Sequence, residues 1–300
     1  MTKQLKADLM LILVTLFWGV SYLLIDISFS EINVFTLNAL RFLIAFIAAG
    51  ILAFPKLKTV NRITLKYSAL LGAVLLVVYI GATYGVRYTS LSNAGFLCAL
   101  TVVITPVLAF IFQRKKPDKK LLIAVVMCLV GIGLLTLNEQ LRPALGDILC
   151  ILCAFAYAVD LLITENAVKK EEINAFQLGV FQLGFTGIYN LVLAFFVENP
   201  VLPKTPKVWV AVLFLAVFCT GAAFIIQVLA QQYTSASHVG VIFSLEPVFA
   251  GIVAFAFAGE VLTMRAYFGA ILLISSIFAM ELEIPKVVTS FKNFVKNKIV

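Results

Sequence analysis

The chain carries an internal repeat built almost wholly from membrane-length apolar runs, and that combination leaves few folds open. INVFTLNALRFLIAF (32–46) returns as INAFQLGVFQLGFTG (173–187). LFWGVSYLLI (16–25) returns more loosely as AFAYAVDLLI (154–163). The stretch that starts YTSLSNAGF at Tyr88 and continues to TPVLAFIF returns from Tyr233 as YTSASHVGV and EPVFAGIVAF. The copies keep the same order, so the halves run in parallel along the sequence. With an odd number of crossings per half, the second half would enter a bilayer upside down relative to the first. Two oppositely oriented copies around one central site are what a carrier needs to face either side of a membrane in turn.

Hydrophobic residues make up 62% of the 300 positions and charged residues 13%, against roughly 45–50% and about 25% in a soluble domain. Apolar runs of roughly 20 residues, enough to cross a bilayer as a helix, lie near 8–26, 34–54, 66–86, 92–112, 120–137, 146–166, 174–197, 208–230, 237–257 and 263–282. They show no strand-length alternation, so helices are expected rather than barrel strands. The expected fold is an all-α membrane protein with ten transmembrane helices, arranged as two inverted five-helix repeats around a central cavity. Residues 1–137 would form the first repeat, 138–283 the second, and 284–300 a basic cytoplasmic tail. The first run follows Lys3 and Lys6 but is long for a signal peptide and lacks a small-residue cleavage site, so it reads as a retained span.

Net charge is +8, and its placement matters more than its size. With the N-terminus in the cytoplasm, the segments assigned inside hold Lys3 and Lys6, the clusters around Lys58, Lys116 and Lys292, and Lys169 and Lys170. Outside segments hold only Arg87, Arg142, Lys204, Lys207 and Arg265. Such a bias places both termini in the cytoplasm of what reads as a bacterial inner-membrane protein. The basic excess is thus a topology signal, and no soluble basic face exists for nucleic acid. The expected partners are a small-molecule substrate and the lipid bilayer, with homo-oligomerisation left open. All five cysteines fall in predicted spans, and Cys150 and Cys153 read as small buried hydrophobes rather than a redox or metal pair. In the tail, Val288, Phe291, Val295 and Ile299 share a helical face off which Lys292 and Lys296 lie, as in a helix resting on anionic lipid, or simply a frayed basic end.

Polar groups within spans are expensive unless they face the bundle interior, water or a partner. Glu246 lies near the middle of the ninth run, followed by Pro247, which cannot donate to the carbonyl of Phe243 and tends to kink the helix. Pro106 stands in the same relation to Val102 in the fourth. Asp160 shares a face with Tyr157 and Thr164. Arg41, inside the second run, would either grip a substrate carboxylate or pair with Asp26; the structural or gating role is preferred for it, as for Pro106 and Pro247. In the eighth run Thr220, Phe224, Gln227 and Gln231 form one stripe, which reads as cavity lining. The seventh offers Gln182, Thr186, Tyr189 and Asn190, and Trp18, Tyr22 and Tyr79 add amphipathic rings suited to a small solute. The substrate-binding set expected is therefore Trp18, Tyr22, Tyr79, Tyr157, Asp160, Gln227, Gln231 and Glu246. His238, the single histidine, reads as interfacial. Gly81 and Gly85 form a GxxxG whose default meaning is close packing.

FWG (Phe17 to Gly19), LRF (Leu40 to Phe42), YTSLSNAGFLCALTVVITPVLAFIFQRKKP from Tyr88, and SLEPVFAGIVAFAFAGEVLT (Ser244 to Thr263) resemble the drug/metabolite transporter superfamily and, within it, the ten-span EamA family. The resemblance implies a polytopic carrier that exports or exchanges small organic solutes; it implies no particular substrate. One departure is that Tyr233 stands nearer Pro247 than Tyr88 does to Pro106, by about one helical turn, so the halves are not interchangeable. Another is that the first span has carboxylates only near its ends, Asp8 and Asp26, whereas the small multidrug-resistance relatives carry a mid-span glutamate there.

No GxxxxGK[ST], HExxH, histidine pair or GxSxG is present, so neither ATPase, metal nor hydrolase chemistry is expected, and no cofactor. The functional expectation is a secondary transporter, an exporter of small organic metabolites such as amino acids, working by alternating access. The alternative is a proton-coupled exporter of cationic drugs or quaternary amines held by cation–π contacts. A non-transporting membrane scaffold or sensor is the third reading, and kinked inverted repeats serve it poorly.

Overall fold

A computed structural model describes residues 2–88, 97–136, 145–258 and 264–281. Every regular element among the described residues is a helix, with no strand. Ten helices follow in order: α1 (Lys3–Ser28), α2 (Val34–Leu57), α3 (Arg62–Tyr88), α4 (Thr101–Gln113), α5 (Lys119–Thr136), α6 (Leu145–Ala167), α7 (Ala175–Val197), α8 (Pro206–Ala230), α9 in two segments (Ala236–Phe243 and Glu246–Ala258), and α10 (Met264–Glu281). Seven of them, α1, α2, α3, α6, α7, α8 and α9, are long and apolar enough to cross a membrane. Among the described residues α4, α5 and α10 fall short of that length or apolarity. Their flanks, 89–96, 137–144, 259–263 and 282–300, lie outside the described residues, and the expected tail helix lies there too.

The burial pattern is that of a protein solvated by lipid. Leu52, Phe196 and Phe257 are 86%, 84% and 77% exposed, whereas Asp160, Gln182, Asn190, Gln227 and Gln231 are wholly buried. Water would punish that inversion; a hydrocarbon surround requires it. The chain is an integral, multi-pass membrane protein.

Close approach between helices is set by small residues. A Cβ at Gly81 would sit 2.6 Å from the Leu149 carbonyl oxygen and 2.9 Å from the Cys153 Cβ, so the GxxxG of α3 lies against the backbone of α6. Outside the apolar spans, carboxylates tie one loop to the helix that starts beside it. Glu198, after α7, accepts from the Phe35 and Thr36 amides and the Thr36 hydroxyl at the start of α2. Glu31, before α2, accepts from the Lys204 and Thr205 amides where α8 begins. At the far end of α6, Glu165 meets Lys115 and Lys169, each at 2.6 Å, and accepts from the Ala236 amide that opens α9.

Two irregularities shape the interior. Residues Leu215–Ala222 of α8 are π-helical, which the sequence reading did not anticipate. α9 is interrupted at Ser244 and Leu245, immediately before Glu246 and Pro247, because Pro247 brings no N–H to continue the ladder. α4, by contrast, stays helical through Pro106. One helix therefore absorbs its proline and the other breaks, although both sit at matching places in the repeat.

Candidate functional site

The central feature is a cavity of about 110 Å³ enclosed by α1, α2, α3, α6, α8 and α9, with Cys98 and Ala99 just ahead of α4. Trp18, Tyr22, Arg41, Tyr79, Tyr157, Phe224, Phe243, Glu246 and Pro247 line it, with Ser21, Thr83 and Thr101 as smaller polar groups. The expected residues Trp18, Tyr22, Arg41, Tyr79, Tyr157, Glu246 and Pro247 therefore meet at one place. Pro106 is buried in α4 away from it.

Rings make up the frame. Trp18 stands edge-on to Tyr157 and to Phe243, with centroids 5.8 and 4.7 Å apart, and Phe243 stacks parallel to Tyr157. Phe42 meets Tyr79 edge-on at 4.7 Å. The π-helical turn positions two of these contacts. Its Cys219 carbonyl accepts the Trp18 indole N–H at 3.0 Å, and its Thr220 hydroxyl accepts from Arg41 Nε at 2.7 Å. π-bulges concentrate at functional sites because the extra residue releases carbonyls and side chains from the regular ladder.

Arg41 is not paired with Asp26, one of the two partners considered for it. Asp26 is exposed at the end of α1, whereas Arg41 is 1% exposed and points its Nε at Thr220. The guanidinium lies over the Tyr79 ring, 5.0 Å from its centroid. No carboxylate among the described residues lies within ion-pair distance of it, and the residue lines the cavity. Across the same space Glu246 faces the Tyr22 hydroxyl, and no described basic side chain pairs with it.

Asp160, Gln227 and Gln231 are placed behind this wall rather than on it. Tyr157 donates its hydroxyl to Gln227 Oε1 at 2.7 Å, Gln227 Nε2 lies 3.5 Å from Asp160 Oδ2, and Gln231 donates to the Leu161 carbonyl at 2.9 Å. Of the α8 stripe, only Phe224 reaches the cavity. The α7 polar residues also lie elsewhere: Thr186 bonds the Gln182 carbonyl and Tyr189 the Ala69 carbonyl. His238 stands in the first turn of α9 and is only partly exposed. Its side chain is 12% exposed, and Nε2 lies 3.1 Å from Asp8 Oδ1.

Cys98, Cys153, Gly240 and Phe243 line the cavity without having been expected there. Phe243 had a readable signal, being one turn ahead of an acid–proline pair. The Cys219 carbonyl had none, since a backbone group exposed by a π turn leaves no mark on residue type.

Known proteins agree with the architecture. A family model described as the EamA-like transporter family matches twice, at residues 5–137 and 144–282. An uncharacterized transporter of Archaeoglobus fulgidus is 29% identical over 282 residues, covering 94% of this chain and 88% of its own. The uncharacterized transporter YetK of Bacillus subtilis is 26% identical over 290 residues, covering 92% of this chain and 87% of its own. In a solved crystal structure the fold recurs with a TM-score of 0.78 over 94% of this chain and 98% of that one, at 16% identity. With both halves matched and full-length transporters among its relatives, the chain belongs to the EamA-like transporter family.

Proposed function

We propose that the chain is a ten-span secondary transporter that exports small zwitterionic metabolites, amino acids foremost, by alternating access around the cavity just described. The observation that carries the substrate class is that Arg41 and Glu246 share one small cavity, neither neutralised by a described protein charge. A buried guanidinium without a counter-ion is costly. A solute carboxylate would relieve that cost with a bidentate contact, and the solute's ammonium group would find Glu246 and the faces of Trp18, Tyr22 and Tyr157. The cavity volume favours a small solute, since pockets for drug-sized ligands run to roughly 300–1,000 Å³.

The packing pattern supports two inverted five-helix repeats. α3 packs on α6 and on α7, while α8 packs on α1 and on α2. α4 packs on α6 and α9 packs on α1. α2 pairs with α7, α4 with α9, and α5 with α10. Exchanging each helix for the one five later turns these pairs into one another, as a twofold axis between the halves would. Ten crossings place both termini on one side, and the lysine and arginine bias makes that side the cytoplasm. The break in α9 beside Glu246 would be the hinge.

An organic-cation exporter is the competing reading, and the aromatic frame around Glu246 favours it. Arg41 in the same cavity opposes it by like-charge repulsion. A thermal-shift screen of the purified protein against amino acids, quaternary amines and neutral metabolites separates the two. Stabilisation by amino acids that is lost in both Arg41→Gln and Glu246→Gln supports the zwitterion reading. Stabilisation by quaternary amines that survives Arg41→Gln overturns it.

A further inference from the structure

Asp160 is the buried acid that the cavity leaves unused. It is wholly buried in α6, no described Lys, Arg or His pairs with it, and its Oδ1 has no hydrogen-bond partner; neither has the Thr164 hydroxyl one turn on. A lone ionised carboxylate is expensive in such a place. Its single polar link runs toward the cavity, from Asp160 Oδ2 to Gln227 Nε2 and from Gln227 Oε1 to the Tyr157 hydroxyl. Tyr157 is the titratable group that faces it, on its own helix. From α3 and α9, Tyr79 and Glu246 face Tyr157 on its cavity side, and Cys153 of α6 lies with them. From α8 the facing group is the uncharged Gln227, whose Nε2 also reaches Gln231 Oε1.

We propose that Asp160 is the proton site of this carrier, separate from the solute site and coupled to it through Gln227 and Tyr157. The proposal rests on the transporter reading given above and names its coupling ion. With Asp160 ionised, the Gln227 amide N–H points to the carboxylate and its carbonyl oxygen accepts from Tyr157, as the structure has it. When Oδ2 takes up a proton it becomes a donor and needs an acceptor. The Gln227 amide then turns over, giving up its 3.4 Å contact to Gln231 Oε1 and presenting its oxygen to Asp160 and its NH₂ to Tyr157. The Tyr157 hydroxyl now accepts from Gln227 and turns its own O–H into the cavity. One proton is gained, no covalent bond other than that O–H changes, and the solute site exchanges an acceptor-facing wall for a donor. A sodium ion fits less well, because among the described side chains beside it Asp160 Oδ1 and Thr164 Oγ1 are the unpartnered oxygens, and a monovalent metal site needs more than two.

The test uses the full chain, purified and in proteoliposomes, with a radiolabelled mixture of the standard L-amino acids as probe. Infrared difference spectra between neutral and alkaline buffer should contain the C=O band of a protonated carboxyl group that is missing in Asp160→Asn and kept in Tyr157→Phe. In vesicles, a pH step of about one unit should change net amino-acid flux several-fold, with about tenfold accumulation as the ceiling for one proton per solute. Asp160→Asn should lose that response while still exchanging amino acids at equal pH; Tyr157→Phe, whose ring lines the solute site, should lose it too, measured against that variant's own exchange rate at equal pH. A band that persists in Asp160→Asn, a full pH response in either variant, or flux that follows a sodium gradient at fixed pH overturns the proposal. If the wild type moves no amino acid, the transport reading fails by itself, and the infrared band alone decides whether Asp160 holds the proton. Should Asp160→Asn not fold, Tyr157→Phe carries the test by keeping the band and losing the pH response.

Discussion

Trp18 of α1 donates its indole N–H to the Cys219 carbonyl at 3.0 Å, at the point where α8 is π-helical. The bond joins the only tryptophan on the cavity wall to a backbone irregularity 201 residues away. It satisfies a carbonyl that the π turn releases, and it fixes the ring that Tyr157, Phe224 and Phe243 pack against. Trp18→Phe keeps an aromatic ring and removes the donor. The unpaired buried carbonyl should cost about 1–3 kcal/mol, read as a lower melting temperature in detergent. Solute-induced stabilisation should weaken as well, and Trp18→Ala should be worse on both counts. An unchanged melting curve for Trp18→Phe would show that the bond contributes nothing.

Arg41 and Thr220 make the second contact with the π turn. Thr220→Val keeps the shape and removes the acceptor, leaving Nε of a 1% exposed arginine unsatisfied. The expected loss is again about 1–3 kcal/mol, toward the upper end because the donor is charged. Arg41→Lys keeps the charge but gives up the planar fork and the stacking on Tyr79, which are not interchangeable with an ammonium. Carboxylate-bearing solutes should then bind more weakly while their melting-curve response to uncharged solutes is unaffected. Equal binding of amino acids by wild type and Arg41→Lys would argue that the arginine is purely structural.

The sequence revealed the membrane class and the helices' order because apolar length and the repeat are both written in residue types. It also brought Trp18, Tyr22, Arg41, Tyr79, Tyr157, Glu246 and Pro247 to one cavity, since an amphipathic or charged side chain in mid-span has few places to go. It could not tell lining from backing. Gln227 and Gln231 share a face with Phe224, yet their amides are consumed by Tyr157 and the Leu161 carbonyl. Helical phase gives a direction from the axis; which neighbour stands in that direction is tertiary information. The same limit explains Pro106 and Pro247: both remove one backbone donor, and packing decides whether the helix bends, breaks or carries on.

Gly19 follows Trp18 and faces the second segment of α9. A Cβ there would lie 2.6 Å from the Phe249 Cβ and 2.8 Å from the Ala250 nitrogen. Backbone on the other side cannot rotate away, so Gly19→Ala must push α1 and α9 apart next to the Glu246 hinge. Overpacking of this kind costs about 1–3 kcal/mol. The variant should melt earlier, and its transport should fall by more than the lost stability explains, because the displaced segment begins at Glu246. Wild-type flux in a variant with a reduced melting temperature would separate this contact from any moving part.

Glu31 offers a pH-dependent test outside the spans. Its carboxylate accepts from the Lys204 amide at 2.6 Å and the Thr205 amide at 3.2 Å, tying the loop before α2 to the start of α8. The Thr205 hydroxyl, followed by the Lys204 amide, holds the Glu31 carboxyl below its ordinary value. A depressed folded-state value means that the stabilisation is complete above the unfolded value, roughly 4.3, and is lost as pH falls through the lower folded one. Glu31→Gln should therefore melt below wild type at neutral pH, and the two melting curves should converge in acid. The gap should be small, since the group is exposed and its charge is screened, and it should shrink with added salt. Glu198, which holds the start of α2 by the same kind of contact, remains intact in this variant and serves as the internal comparison. A gap of constant size from neutral to acid pH would mean that Glu31 acts through its shape and not its charge.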